Sequence, residues 1–395
     1  GSTRVKLGLA KWMDRAFGSL LGRLVGGVDR ISESLRSPGP VPQVDRILVI
    51  KFWGLGNWAL LRPVVQDLRA RYPAARLTIA TLAGNRALVE DLADDLLLVR
   101  PTRLRQTLPD LLRAVRWLRR HPHQLALDFE QFARSGALLA RCGRVPQRLG
   151  FASGSAGRDG LYTVTIPFQS DRHVTRSFRD LAEAAGVPAG QYVPGGMTVD
   201  AKAEARLVAR LGALAPCVVL HPGSGDNFPG RRWSASGFAA LGRAACDAGR
   251  RVFVTGGAGE RDLVASVAAA IGTGAVPLAG ELDLHELIAL LGSAEVVASN
   301  DTGPVHLASQ LGTPVLAFFG PNTPVLYGPL SPRSRAFYRD LPCSPCLTNA
   351  NYRSSRCRIH TCMQSIPTGE VLGALHARMA SGGAGVSATH DEGCA

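Results

Sequence analysis

No stretch of the 395-residue chain approaches the ~18 consecutive apolar residues of a membrane-spanning helix. The N-terminal region also lacks the short apolar core and small-residue cleavage site of a secretory signal, so a cytoplasmic protein is expected. Acidic residues are scarce: 31 Asp and Glu stand against 45 Lys and Arg, a formal net charge of +14. That surplus favours anionic partners, whether nucleic acid, an anionic membrane face or phosphorylated small molecules. The arginines cluster at 100–120, but no aromatic-plus-basic recognition motif accompanies them, so no nucleic-acid partner is expected. Two nucleotide signatures are missing as well. There is no G-x-x-x-x-G-K-[ST] loop, and Gly54-Leu55-Gly56 is too little of a G-x-G-x-x-G fingerprint to suggest a nicotinamide dehydrogenase.

What the chain does have is a globular composition, 46% apolar and 19% charged, at a length that suits two domains. Residues 3–43 stand apart. Val5, Leu9, Trp12, Phe17, Leu20, Leu24, Val28, Ile31 and Leu35 recur at three- and four-residue steps among seven basic residues. This predicts an amphipathic helical extension, suited either to an anionic membrane interface or to packing within an oligomer. Ser37-Pro38-Gly39-Pro40 then breaks the chain as a linker.

From residue 44 the pattern alternates between short β-rich runs and helical stretches, which predicts parallel sheets flanked by helices, an α/β fold. Strands are expected at Ile47–Ile50, Leu77–Ala80, Leu96–Val99 and Leu125–Leu127, with helices at 60–71, 86–92, 108–120, 135–141 and 177–185. The first domain is taken as 44–198 and the second as 199–365, followed by a helix over 366–382 and a disordered tail over 383–395. In the second domain, strands at Cys217–Leu220, Val252–Thr255, Val296–Ala298 and Val315–Phe319 lead into glycine-bearing loops. Those loops are His221-Pro222-Gly223-Ser224-Gly225, Thr255-Gly256-Gly257 and Asn300-Asp301-Thr302-Gly303-Pro304. Glycines admit close backbone approach, and helix starts present N–H groups to anions, so the three loops together describe a pocket for a phosphate-bearing ligand.

The segments HPGSGDNFPGRRW (221–233), GGAGE (256–260) and SNDTGPVHLASQLGTPVLAFFGPNTP (299–324) resemble glycosyltransferase family 9, the heptosyltransferases of lipopolysaccharide assembly. RHVTRSF (172–178) and the turn at 54–57 agree with that likeness, which covers about residues 46–375. The resemblance implies a GT-B architecture: two Rossmann-like domains facing across a cleft, the nucleotide-sugar held mainly by the C-terminal one. It implies inverting transfer of a sugar, typically heptose from ADP-heptose, to a hydroxyl of lipopolysaccharide or another glycolipid or cell-envelope glycan, by chemistry that needs no metal. Protein O-heptosylation and a catalytically silent sugar-nucleotide-binding scaffold stand as alternatives. It also implies that Arg231 occupies a phosphate-binding lysine position, with Arg232 beside it, though a solvated surface arginine is the competing reading. Ser224, Gly256, Asp301, Thr302 and Gly303 would meet the donor, as would Gly54 and Gly56 from the first domain. Glu260 would meet the nucleoside, or be an ordinary first-turn acid. His306 would serve the donor or be structural.

One departure from the family pattern stands out. The turn carries Asn57 where the family has its candidate base, an Asp, and an amide accepts no proton near neutral pH. Glu130, and beside it Asp128, are the expected substitutes, because both follow a predicted strand of the same domain and residues two apart share a side in extended chain. Capping or an ion pair with Arg134 is the competing reading. Separately, Cys343-x2-Cys346-x10-Cys357-x4-Cys362 has spacing suited to a structural Zn or Fe, or else to two disulfides or free thiols. With Arg100–Arg120 and the N-terminal helix, the whole suits a cytoplasmic protein, peripheral at the inner membrane face.

Overall fold

The computed structural model describes residues 43–101, 104–131, 133–152, 156–225, 229–348 and 355–382. The expected amphipathic extension over 3–43 and the tail over 383–395 lie almost wholly outside the described residues. Among those residues no helix is long and apolar enough to cross a membrane.

Two parallel six-stranded sheets form. The first comprises β1 (Arg46–Ile50), β2 (Arg76–Leu82), β3 (Asp95–Val99), β4 (Leu125–Asp128), β5 (Gln147–Ala152) and β6 (Val164–Pro167), in the spatial order β3-β2-β1-β4-β5-β6. The second comprises β7 (Cys217–His221), β8 (Arg251–Gly256), β9 (Ala275–Ala279), β10 (Val296–Asn300), β11 (Val315–Phe318) and β12 (Arg335–Phe337), in the order β12-β11-β10-β7-β8-β9. Read from β9, the second order repeats the first. Each half is therefore a doubly wound sheet whose order reverses beside its first strand, between β1 and β4 and between β7 and β10. The crevice at such a reversal is where ligands bind in open α/β sheets.

The period of two explains why these runs are strands. Ile47 and Val49 point into a core shared by both halves, whereas Leu48 and Ile50 point into a second core under the helices on the opposite face. In β7, Cys217 and Val219 join the shared core, and Val218 and Leu220 join the core on the far side of the second sheet. Strands buried on both faces read as continuous apolar runs. Burying a side chain of this size contributes roughly 1.5–3 kcal/mol, so a polar residue in either run would be costly.

The halves meet through the helix Leu55–Arg71, which packs on the helix Gly303–Gln310. Further ties cross between them. His173 Nε2 donates to the Gly328 carbonyl at 3.1 Å, Tyr327 Oη donates to Gln131 Oε1 at 3.1 Å, and Gln310 Nε2 donates to Tyr192 Oη at 2.8 Å. The helix expected from residue 60 starts at Leu55 instead, so Gly56 and Asn57 lie in its first turn.

Candidate functional site

The two strand-order reversals face one another across a cleft of about 660 Å³. From the first half it is lined by Gly54, Gly56 and Asn57, and from the second by Ser224, Arg231, Gly256, Glu260, Asp301, Thr302, Gly303 and His306. Every expected donor-binding residue except Arg232 thus lines one cavity, and Arg232 reaches Glu260 from its edge at 3.2 Å.

The C-terminal wall is built around a buried carboxylate. Glu260 Oε1 accepts from the N–H groups of Ser224 and Gly225 at 2.9 and 3.0 Å, and Oε2 accepts from that of Gly257 at 3.0 Å. Burial pushes this carboxyl up, but the three backbone donors outweigh it and hold the pKa below the usual carboxylate value. A Cβ on Gly223 would lie 2.2 Å from Glu260 Oε2, which is why glycine stands there. Asn300 joins the loops: its side chain accepts from Trp233 N and donates to the carbonyls of Pro222 and Gly223.

On that scaffold Arg231 is aimed by two carbonyls, those of Asp301 at 2.9 Å and Ser224 at 2.7 Å, with the Asp301 carboxylate 3.7 Å away. A side-chain cap at Thr302 would have satisfied the start of the Gly303 helix, but none forms. The Asp301 carboxylate is engaged by Asn322 instead. The helix therefore presents its N-terminus to the cleft beside Arg231, an arrangement that attracts anions. The apolar end of the cavity comes from Leu278, Leu282, Leu284 and Leu287. No expectation named these residues; Leu278 lies in β9, an edge strand that Pro277 concealed in the sequence. His221 also lines the cleft. It bonds Thr255 Oγ1 at 3.0 Å, and burial pushes its pKa down to about 4, which keeps the imidazole neutral.

The N-terminal wall corrects the expectation for Asp128 and Glu130. Neither lines the cleft. Glu130 is 3% exposed, lies beneath the turn and is consumed by it. Its Oε1 accepts from Phe52 N at 2.5 Å and Trp53 N at 2.8 Å, and its Oε2 pairs with buried Lys51 at 3.1 Å. Asp128 faces away, accepting from Tyr162 Oη at 2.7 Å and packing where a Cβ on Gly136 would collide with it. The two do not share a side because β4 ends at Asp128, whose carboxylate accepts from Glu130 N at 3.0 Å and turns the chain. Burial raises the Asp128 pKa to about 6 and Glu130 adds to the rise, against Arg158 and Tyr162. Glu130 is ion-paired with Lys51.

The turn itself is fixed by its neighbours. Trp58 Nε1 donates to the Lys51 carbonyl and to Thr81 Oγ1, both at 2.8 Å, and Asn85 Nδ2 donates to the Phe52 carbonyl at 3.1 Å. Gly54 has φ 92°, open to glycine and strained for other residues. A Cβ on Gly56 would sit 2.4 Å from His306 Cδ2, and one on Gly303 would sit 2.7 Å from Leu55 Cδ2. These two glycines let the halves touch at the cleft floor. Asn57 Oδ1 is buried there with no partner among the described residues.

The cysteine segment also departs from expectation. All seven described cysteines are free, so the disulfides do not form. Among the described residues no group of three or more His, Cys, Asp or Glu is placed to hold a metal ion, so the expected Zn or Fe site is not shown. Cys343 and Cys357 are exposed while Cys362 is buried. Burial and the thiols of Cys346, Cys357 and Cys343 push the Cys362 pKa up to about 11.

Comparison with known proteins agrees with this geometry. A family model described as glycosyltransferase family 9 (heptosyltransferase) matches residues 111–354. The chain is 30% identical over 129 residues to lipopolysaccharide heptosyltransferase 2 of Escherichia coli K12, covering 32% of this chain and 37% of the relative. It is 26% identical over 317 residues to lipopolysaccharide heptosyltransferase 1 of Pseudomonas aeruginosa, covering 76% and 86%. The matched segment spans little more than a third of the length of the first curated relatives, 37% in each of two. The solved structure of E. coli ADP-heptose lipopolysaccharide heptosyltransferase II superposes with a TM-score of 0.71 at 21% identity, over 86% of this chain and 100% of that one. That likeness establishes the GT-B fold.

Proposed function

The chain belongs to glycosyltransferase family 9, and from that premise we propose that it is an inverting glycosyltransferase moving heptose from ADP-heptose to a hydroxyl of lipopolysaccharide or a related cell-envelope glycan. The observation that carries this reading is the C-terminal wall, where Arg231 and the uncapped start of the Gly303 helix converge on one point of the cleft. As the bond from the anomeric carbon to the diphosphate breaks, its electron pair leaves on the nucleotide and negative charge grows there. Fixed donors already aimed at that position stabilise the transition state more than the ground state. Arg231 suits this role because a planar guanidinium grips phosphate oxygens in pairs. The adenosine would run toward Glu260 and the leucine-lined end. The sugar would then lie against Gly56 and Asn57, where, among the described residues, the first half brings no charged side chain to the cleft.

The chemistry does not depend on a metal in this reading, because Arg231 and the helix start supply the positive charge. A place at the inner face of the cytoplasmic membrane is part of the proposal. It is supported by the helix Leu104–Arg120, where Leu108 and Leu112 are 52% and 46% exposed alongside Arg113, Arg116, Arg119 and Arg120. Incubating the protein with ADP-heptose and lipopolysaccharide from a heptose-deficient strain tests the central reading. Addition of one heptose to the acceptor, with release of ADP, is expected. Binding of ADP-heptose with neither transfer nor ADP release would leave a sugar-nucleotide-binding protein in place of the enzyme.

A further inference from the structure

In the second sheet the strands run β10-β7-β8-β9 across the cleft, about 4.8 Å apart. Asp301 and the Gly303 helix, with Arg231, stand at the end of β10, and Leu278 of β9 belongs to the apolar end. Between them, the ends of β7 and β8 bring His221 and Thr255 to the cleft. A nucleotide with its diphosphate at Arg231 and its base among the leucines lays its ribose there. Resting on the ADP-heptose reading, we propose that His221 reads that ribose. Its Nε2 lone pair accepts from one of the two ribose hydroxyls and so selects ribonucleotides over deoxyribonucleotides.

The chemistry of the acceptor is set by its neighbour. Thr255 Oγ1 carries one proton, which it gives to the Leu220 carbonyl at 3.3 Å. The bond between Thr255 Oγ1 and His221 Nδ1, 3.0 Å long, is then donated by the histidine. The ring proton is thereby placed on Nδ1 and the lone pair on Nε2. Nε2 has no partner among the described residues, and it is not sealed in the wall: it opens into the cleft that His221 lines. Burial holds the ring neutral, with a pKa of about 4, so Nε2 stays an acceptor at neutral pH.

Glu260 lies close enough to act on the His221 ring. Its Oε1 already takes Ser224 N, Gly225 N and Arg232 Nη2, whereas Oε2 takes Gly257 N alone. A carboxylate oxygen offers about two acceptor sites, so Oε2 keeps room for one further donor. Two neighbouring acceptors, Nε2 and Oε2, match the two donors of a ribose cis-diol. They match a nucleobase edge less well, because such an edge carries acceptors as well as donors. Once a nucleotide has displaced water from this end of the cleft, an acceptor left without its hydroxyl is costly. A site built in this way rejects the analogue that lacks the group.

Calorimetric titration of ADP, 2′-deoxy-ADP and 3′-deoxy-ADP into the wild-type chain, His221→Phe and Thr255→Val tests the proposal. The wild-type chain should bind at least one deoxy analogue roughly tenfold more weakly than ADP. In His221→Phe that difference should vanish, because ADP itself is weakened by the same roughly tenfold factor. Thr255→Val, which removes the group that fixes the tautomer, should shrink the same ratio. Wild-type chain that binds all three nucleotides alike overturns the proposal without recourse to any variant, so it does not hang on the folding of His221→Phe. A ratio that persists unchanged in a folded His221→Phe also overturns it, since damage to the wall weakens every nucleotide equally and leaves the ratio intact. Failure of the proposal alone leaves ADP binding in place, whereas a wild-type chain that binds no ADP removes the nucleotide reading and this one with it.

Discussion

The two strand-order reversals are built alike and charged differently. Each folds a glycine turn around a buried glutamate delivered from another strand's end: Glu130 gathers Phe52, Trp53 and Lys51, and Glu260 gathers Ser224, Gly225 and Gly257. In the first half the cation that answers the glutamate, Lys51, is buried with it, and among the described residues the cleft receives only uncharged ones, Gly54, Leu55, Gly56 and Asn57. In the second half the loop's backbone answers the glutamate, assisted by Arg232. That leaves Arg231 and a helix start facing the cleft. A buried carboxylate beside a glycine turn therefore does not by itself mark a catalytic acid or base. What it pairs with decides whether it builds the wall or does the chemistry.

The sharpest break of this comparison is Glu130→Gln. It leaves Lys51 charged and buried without its partner, and chemical denaturation should show a loss of about 3–5 kcal/mol. A loss of activity at unchanged stability would instead restore Glu130 as a chemical group. Next in size is Asp128. Its pKa, raised from 3.8 to about 6, means the folded chain keeps a proton that the unfolded chain gives up between those values. Its contribution to stability is thus present on the acid side and lost as pH rises through 6, by at most about 3 kcal/mol. Asp128→Asn should flatten that part of the stability–pH curve, and an unchanged curve would show that the group is ionised throughout.

Arg231→Ala should weaken ADP binding by about 2 kcal/mol, the scale of a charged hydrogen bond, with little change in melting temperature. Smallest of all is His285→Ala. It removes a partly exposed contact with Glu90 across the halves at 3.2 Å, worth about 0.5 kcal/mol.

Much of this was legible in the sequence, because fully buried parallel strands leave continuous apolar runs and glycine loops follow them. Ile47–Ile50 and Cys217–Leu220 announced themselves in this way. The strands that stayed hidden have physical reasons. β6 and β9 are edges carrying Pro167 and Pro277, and β12 has only three residues. β5 hides because it buries Arg148, whose guanidinium donates to the carbonyls of Leu161 and Val145. The C-terminal wall of the cleft was readable because its residues sit in contiguous motifs. The fate of Glu130 was not, because its partners Lys51, Phe52 and Trp53 lie 77–79 positions away in sequence.

The central claim is that the second half alone holds the nucleotide while the first half presents a neutral face. Calorimetric titration of ADP into the wild-type chain, Arg231→Ala and Asn57→Asp tests it most directly. The account predicts one ADP per chain, binding weakened at least tenfold by Arg231→Ala, on the scale of one charged hydrogen bond, and left nearly unchanged by Asn57→Asp. Loss of ADP binding in Asn57→Asp as large as that in Arg231→Ala would contradict it.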